Sequence, residues 1–393
     1  MAYTSPNVYY SATLNGTYTA VNGVQSVNIS RGKSFFQDPF NAASCVIELI
    51  PDATYSLPFA IGQFVDIRDS NSGSSAAYFN GKIVNIDRTY DIPYNTSTGY
   101  APGDRIVLTV AGGTGALAGS YFTPISRSDC YYGMVNNIGG GTAYVYNAMA
   151  ATLTGIPFAV PAVDIINPSG EKINWLDFLN SVMNTCQYSV DEYDMARTPV
   201  YYGGDPYNMY VGVITRPNSD ATKSFTFTDN YSGAANSYKY AGIEYGASRQ
   251  SIFTQVTVRP AAVAEASATS GVAPYNGIVY PTYSNSNAEA QTLANYVLAI
   301  SSATSSTPFL IETSTATDDN VKTLGKLAEA PIGTAVTITF RGTTTTALLL
   351  GVNVGLYSDR MNCRFTFAPS LGTPFTLDSS AFGVLDTNRL GYP

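Results

Sequence analysis

The stretch Ile61-Gly62-Gln63-Phe64-Val65-Asp66-Ile67-Arg68 opens a region, running to Leu117, that decides the fold. After a break rich in Ser, Gly and Asn comes Phe79-Asn80-Gly81-Lys82-Ile83-Val84-Asn85-Ile86-Asp87-Arg88-Thr89-Tyr90-Asp91. A second polar break leads to Gly103-Asp104-Arg105-Ile106-Val107-Leu108-Thr109-Val110-Ala111. Three short β-branched runs bounded by turn residues read as antiparallel strands. In the third, Ile106, Leu108 and Val110 share one face and Arg105, Val107 and Thr109 the other, because side chains alternate along a strand.

The same layout returns near the C-terminus. Ile332-Gly333 and the run Ala335 to Phe340 echo Ile61-Gly62 and its strand; Leu350 to Asp359 echoes Phe79 to Asp91; Arg364 to Ala368 echoes the stretch that ends at Ala111. Alternation is stricter here. Val336, Ile338 and Phe340 fall on one face, as do Val352, Val354 and Leu356, and Cys363, Phe365 and Phe367. One β module used twice is the reading.

Working outward, Met1 to Gly23 is rich in Tyr, Thr, Ser and Asn and reads as an extended arm or edge strand. Val24 to Ser30 and Cys45 to Ile50 are further strands, with Arg31-Gly32-Lys33-Ser34 as a turn. Five or six strands suffice for a small barrel or sandwich. Ala111 to Gly119 is a glycine-rich reversal that does not fit the dinucleotide pattern G-x-G-x-x-G. Gly170 to Met183 reads as a helix, with Ile173, Leu176, Leu179 and Met183 at helical spacing. Tyr201 to Thr215 and Lys223 to Thr228 look like strands joined by Arg216 to Asp220, and Phe253 to Pro260 resumes the β pattern. Ala261 to Ser270 reads as a flexible loop. A second helix spans Asn287 to Ile300, with Leu293, Tyr296, Val297 and Ile300 on one face. The expected fold class is mainly β with a smaller α+β part: two similar antiparallel β-barrel modules, residues 1–120 and 236–393, around a central α+β domain, residues 121–235.

Composition narrows function. At 393 residues and 45% hydrophobic content, the chain can bury large cores. Only 12% of residues are charged, while tyrosine numbers 30, a mix that suits surfaces covered by partners rather than by water. A net charge of −8 offers no general means of gripping a phosphate backbone, so no sequence-specific nucleic-acid partner is expected. The absence of histidine removes Ser-His-Asp and Cys-His machinery and every His-ligated metal site. Cys45, Cys130, Cys186 and Cys363 form no C-x-x-C pair; buried free thiols are the first reading and a disulfide the alternative. No signal-peptide pattern opens the sequence, and no apolar run approaches the ~20 residues of a membrane helix.

Candidate chemistry is thin. Asp191, Glu192 and Asp194 cluster, as do Asp318 and Asp319, but neither group has calcium-loop spacing, and both read as solvated loops. Tyr201-Tyr202-Gly203-Gly204-Asp205-Pro206-Tyr207 could stack on a sugar ring, with an ordinary hairpin contact as the simpler reading. No catalytic, cofactor-binding or metal residue is assigned, and no cofactor or enzymatic activity is expected.

The C-terminal Thr373-Pro374-Phe375-Thr376-Leu377-Asp378, continuing through Gly383-Val384-Leu385-Asp386 to Tyr392, closely resembles the closing segment of minor tail proteins of long-tailed bacteriophages. Val24 to Gly32, Phe79 to Ile83 with Tyr90-Asp91, Thr109 to Ala111 before Ala116-Leu117-Ala118, Phe253 to Arg259, Ala288 to Leu298 and Ile332-Gly333 follow in the family's order; residues 120–170 do not match. The resemblance implies a tail-tip or baseplate hub, similar to the two-barrel hub of contractile-tail phages. It implies a homotrimeric ring joining a six-fold tail tube to a three-fold tip, with a channel for the genome. Distal tail or tail-tube proteins and tail-tip spike or fibre proteins would be the partners, and the virion tail tip the location. The alternatives are a receptor- or glycan-binding tail protein and, behind it, a cell-wall hydrolase.

Overall fold

The computed structural model describes residues 3–13, 16–51, 58–72, 75–90, 104–119, 121–122, 172–192, 194, 213–218, 223–230, 233–246, 252–260, 263–282, 287–303 and 307–371. The C-terminal segment 372–393, the run Tyr201 to Tyr207 and residues 123–171 lie outside these, so the expectations placed on them do too.

The N-terminal module contains β1 (Asn7–Ser11), β2 (Thr19–Ala20), β3 (Val24–Gly32), β4 (Ser44–Leu49), β5 (Phe64–Arg68), β6 (Ala77–Thr89) and β7 (Arg105–Ala111). They pair antiparallel in the order β3-β4-β7-β6-β5-β1-β2. The N-terminal arm is thus the sheet's margin. The turn expected at Arg31-Gly32 is instead the end of β3. Alternation works as expected: Ile106, Leu108 and Val110 are buried, and Arg105 is exposed.

Beyond β7 the glycine-rich reversal is a short helix, α1 (Gly113–Ala118). The pair β8 (Tyr121–Phe122) and β9 (Ile173–Asn174) leads into α2 (Trp175–Cys186), then β10 (Tyr188–Glu192) and its partner β11 (Val213–Pro217). The helix starts at Trp175 rather than Gly170 because Asn174 caps it, accepting from the Leu176 amide at 2.9 Å. Leu176, Leu179 and Met183 of the expected stripe are buried. The segment read as a link after Thr215 extends β11 to Pro217.

Next come β12 (Thr226–Thr228), which joins the second module's sheet from the central region, and then β13 (Ser237–Tyr238) and β14 (Gly242–Tyr245). A separate sheet follows: β15 (Gln255–Pro260), β16 (Ala266–Thr269) and β17 (Gly277–Thr282), in the order β16-β15-β17. Part of the stretch Ala261–Ser270 read as a loop is therefore a strand, held by the ladder Val256↔Ala268 and Val258↔Ala266. Helix α3 (Asn287–Ala303) buries Leu293, Tyr296, Val297 and Ile300 in a core shared with Val256 and Val258. The chain closes with β18 (Pro308–Ser314), α4 (Val321–Leu324), β19 (Ala335–Phe340), β20 (Thr343–Tyr357) and β21 (Met361–Pro369). The module's strand order is β14-β18-β21-β20-β19-β12-β13, the N-terminal order repeated strand for strand. One strand is reversed: β12 runs parallel to both β19 and β13, whereas its counterpart β1 runs antiparallel to both β5 and β2.

The fold is mainly β, as expected. The two modules are also parts of one 14-stranded sheet, joined where β3 pairs with β20.

Candidate functional site: the joint between modules and its counterpart

The duplication extends to individual hydrogen bonds. Gly62 (φ +88°) and Gly333 (φ +90°) both adopt the left-handed conformation that glycine tolerates without penalty. Each donates its amide to the long strand beside it, Gly62 to the Ile83 carbonyl and Gly333 to the Leu349 carbonyl, both at 2.8 Å. The long strand answers in kind: Ile83 donates to the Gln63 carbonyl and Leu349 to the Thr334 carbonyl, both at 2.9 Å. One residue later each long strand bulges, between Ile83 and Asn85 in β6 and between Leu349 and Gly351 in β20. A bulge inserts an unpaired residue and bends the strand, so its two halves can face different neighbours. Val84 and Leu350 are those residues.

Beyond its bulge, β20 lies between β21 and β3. The joint pairs Gly351 with Gly32, Val352 with Arg31, Val354 with Ile29, Leu356 with Val27 and Tyr357 with Ser26. Glycine is required at its tightest point. A Cβ on Gly351 would stand 2.6 Å from the Lys33 carbonyl oxygen, and Gly32 combines φ +85° with close approach to the Leu350 carbonyl. The Lys33 amide donates to that same carbonyl at 2.9 Å.

The acidic cluster read as a solvated loop is the lock of this joint. Asp191 and Glu192 are buried on β10. Because side chains alternate, they point to opposite sides of the strand and hold different partners. Asp191 takes two bonds from Arg31 Nη1 at 2.7 Å and one from the Ile332 amide at 2.8 Å. Arg31 Nη2 reaches on to the Ala330 carbonyl at 2.7 Å. One ion pair thereby ties β3 of the first module, β10 and the approach to β19 of the second. Glu192 accepts from the Gly113 amide at 2.6 Å, and from the Thr114 amide at 3.0 Å and hydroxyl at 2.5 Å, which fixes the start of α1. Burial pushes the Glu192 carboxyl up to about 7; the Thr114 and Gly113 bonds oppose the shift and Asp191 adds to it. Asp194 accepts from the Ala77 amide at 2.9 Å and pairs with Arg68, which also holds Asp66 on its own strand. Asp318 is likewise buried, accepting from the Lys239 and Asn320 amides at 3.0 Å each.

Each of these carboxylates accepts from donors of the chain itself. Among the described residues no group of three His, Cys, Asp or Glu side chains could hold a metal ion, and no helix is long and apolar enough to cross a membrane. A cavity of about 470 Å³ opens between Tyr10, Phe59 and Ile106; among its described lining residues Tyr10 is the one ionisable side chain. Lys33 is a buried lysine at the joint. Its ammonium donates to the Phe36 carbonyl at 2.6 Å and lies 5.0 and 4.4 Å from the Phe36 and Phe40 ring centres. Burial lowers its pKa to about 7, with Asp38 pulling the other way. Cys45 and Cys363 are buried free thiols, as read first. Burial pushes Cys363 up to about 12.

Among the described residues no strand covers the joint's counterpart. Ile332 and Leu350, at the corner covered by the end of β3, are 0% exposed. Ile61 and Val84, which hold the same places in the first module, are 66% and 50% exposed. Among the described residues the far half of β6 pairs only with β7, and β14, the counterpart of β3, only with β18.

No protein-family model matches the chain, and no curated protein matches it in sequence. Solved structures do match in fold. A tail protein from Neisseria meningitidis MC58 superposes with a TM-score of 0.54 at 12% identity, covering 94% of this chain and 97% of that one. The 43 kDa tail protein of prophage MuSo2 from Shewanella oneidensis gives 0.50 at 14% identity, covering 93% and 97%. Over nearly its whole length, the chain has the fold of phage tail proteins.

Proposed function

We propose that this chain is a structural protein of a phage tail tip: a hub in which three copies close a ring of six similar sheet modules around an open channel. The duplication carries the reading. Each chain holds two modules with the same strand order and the same glycine clasp, already joined edge to edge. Three such chains present six near-equivalent surfaces to a six-fold tube and three distinct ones to a three-fold tip. In this reading the modules are residues 1–120 and 236–393, with the α+β domain 121–235 between them lending β12 to the second module's sheet. The central domain's acids serve as structural locks, and no catalytic step is involved. Sparse charge and abundant tyrosine suit permanent contacts with tail-tube or distal tail proteins on one side and spike or fibre proteins on the other. An acidic chain suits a channel through which nucleic acid passes without sticking.

The test is the mass of the purified protein together with the rotational order of averaged tail-tip images. Three chains per assembly are expected. A lone chain that clears peptidoglycan on a zymogram would replace the hub with a hydrolase.

A further inference from the structure

We infer that the cavity at the end of the first module takes an apolar turn of another protein, a neutral peptide segment that enters with aliphatic side chains. Such binding does not depend on how copies assemble. The second module supplies the reason for it, because there the chain itself fills the same end.

The strand ladders fix which places correspond. With Gly62 matched to Gly333 and Ile83 to Leu349, Leu108 matches Phe365, and they lie opposite Ile47 and Ile311. Further along the same strands, the pair Leu49–Ile106 matches Thr313–Cys363. Phe59 and Ala330 stand at equal distance before their clasp glycines. Leu49, Ile106 and Phe59 line the cavity, whereas Thr313, Cys363 and Ala330 are closed over. The connection from β18 to β19 does the closing. Its Asp318 accepts from the amide of Lys239, which follows β13 as Val21 of the cavity wall follows β2. Helix α4 comes next, packed on β18 and β21 with Val321 and Leu324 buried. Among the described residues the first module has no helix between β4 and β5, and the cavity of about 470 Å³ lies at that end.

The wall selects the chemistry of the occupant. None of the described lining residues is charged, so a charged group entering there would lose its water without gaining a partner. Tyr10 and Phe59 meet edge to face with 5.9 Å between ring centres, and Leu49 and Ile106 extend the apolar surface. Ile50 is 42% exposed in the same wall, an apolar side chain left for an occupant to cover. The exposed amides of Asn22 and Gln25 suit the backbone of an incoming peptide, since such sites pair apolar walls with a few polar groups. The wall is also held in shape. The Ile50 amide donates to the Gly23 carbonyl at 2.9 Å, and a Cβ on Gly23, at φ +77°, would stand 2.6 Å from the Ile50 carbonyl oxygen. Helix α4 of a second copy does not qualify as occupant, because its Val321 and Leu324 are already buried in their own module.

A titration of the full chain, followed by nuclear magnetic resonance of isotope-labelled isoleucine and leucine methyl groups, tests the site. The probe is N-acetyl-leucyl-leucine amide, and N-acetyl-lysyl-lysine amide is the charged control. Saturable shifts at Ile50, Ile106 and Leu49 are expected with the leucyl probe and none with the lysyl one. Ala20→Trp, which adds bulk to the cavity wall, is expected to abolish the shifts in a chain that still melts cooperatively. Ile50→Asp, which places a charge in the wall, is expected to do the same and serves if the tryptophan variant does not fold. Absence of saturable shifts with the leucyl probe would overturn the inference, as would an equal response to the lysyl probe. The mass of the Ala20→Trp assembly is expected to match that of the unsubstituted protein. A smaller mass would make a second copy the occupant and overturn the assignment to another protein.

Discussion

Two corners of this molecule share one backbone and differ in what lies over them. At Gly333 and Leu350 the clasp and bulge are roofed by the end of β3 and locked through Asp191 and Arg31. At Gly62 and Val84 the same clasp and bulge have no such roof among the described residues, and Val84 is exposed. Local sequence builds the corner in both cases; among the described residues only one has a strand laid over it. The comparison shows how one strand motif serves as core in one place and, among the described residues, as surface in another.

The sharpest way to break the comparison is at the lock. Asp191→Ala leaves Arg31 buried with its charge uncompensated, which costs about 3–5 kcal/mol. Chemical denaturation should show a loss of that size, whereas Glu312→Ala, at an exposed pair with Arg364, should change stability by less than about 1 kcal/mol.

The two bulge residues come next. Leu350→Ala empties a fully buried site and is expected to cost about 2–5 kcal/mol, by the usual range for buried leucine. Val84→Ala in a dissociated single chain should stay within about 0.5 kcal/mol, as exposed positions do. Equal losses at both would mean that the corners are equally covered.

A smaller effect separates the charges of the joint by pH. Glu192 has a folded pKa raised above its unfolded value, so between about 4.5 and about 7 the native state holds the extra proton and stability falls as pH rises. Lys33 has a folded pKa lowered to about 7; from there to about 10.5 the unfolded state holds the extra proton and stability rises. The contacts of Lys33 with Phe36 and Phe40 favour the charged ammonium and blunt the second limb. Melting temperature followed from pH 5 to pH 10 should therefore dip near neutrality. Lys33→Met should flatten the alkaline limb and leave the acidic one in place; an unchanged alkaline rise would remove Lys33 as its cause.

Much of this fold was legible in the sequence because its strands alternate strictly. Val352, Val354 and Leu356, and Cys363, Phe365 and Phe367, are buried as their spacing required. The echo of Ile61-Gly62 in Ile332-Gly333 was visible for a physical reason, since both clasps need a residue at positive φ. The lock was not legible. Asp191 and Arg31 stand 160 residues apart, and Asp-Glu-Tyr-Asp looks the same in a strand between two modules as in a wetted loop. Strand β16 was hidden in Ala and Ser, whose weak β preference is overruled by pairing with β15. The difference between the two long strands was also invisible, because only the strand order reveals which of them has a second neighbour along its far half among the described residues.

The most direct measurement is the symmetry of the isolated particle, taken by native mass spectrometry and by averaging particles viewed down their axis. Three chains showing six similar lobes are expected, one lobe per module. A single chain, or a three-chain particle with only three lobes, would contradict the claim that the repeated module builds the ring.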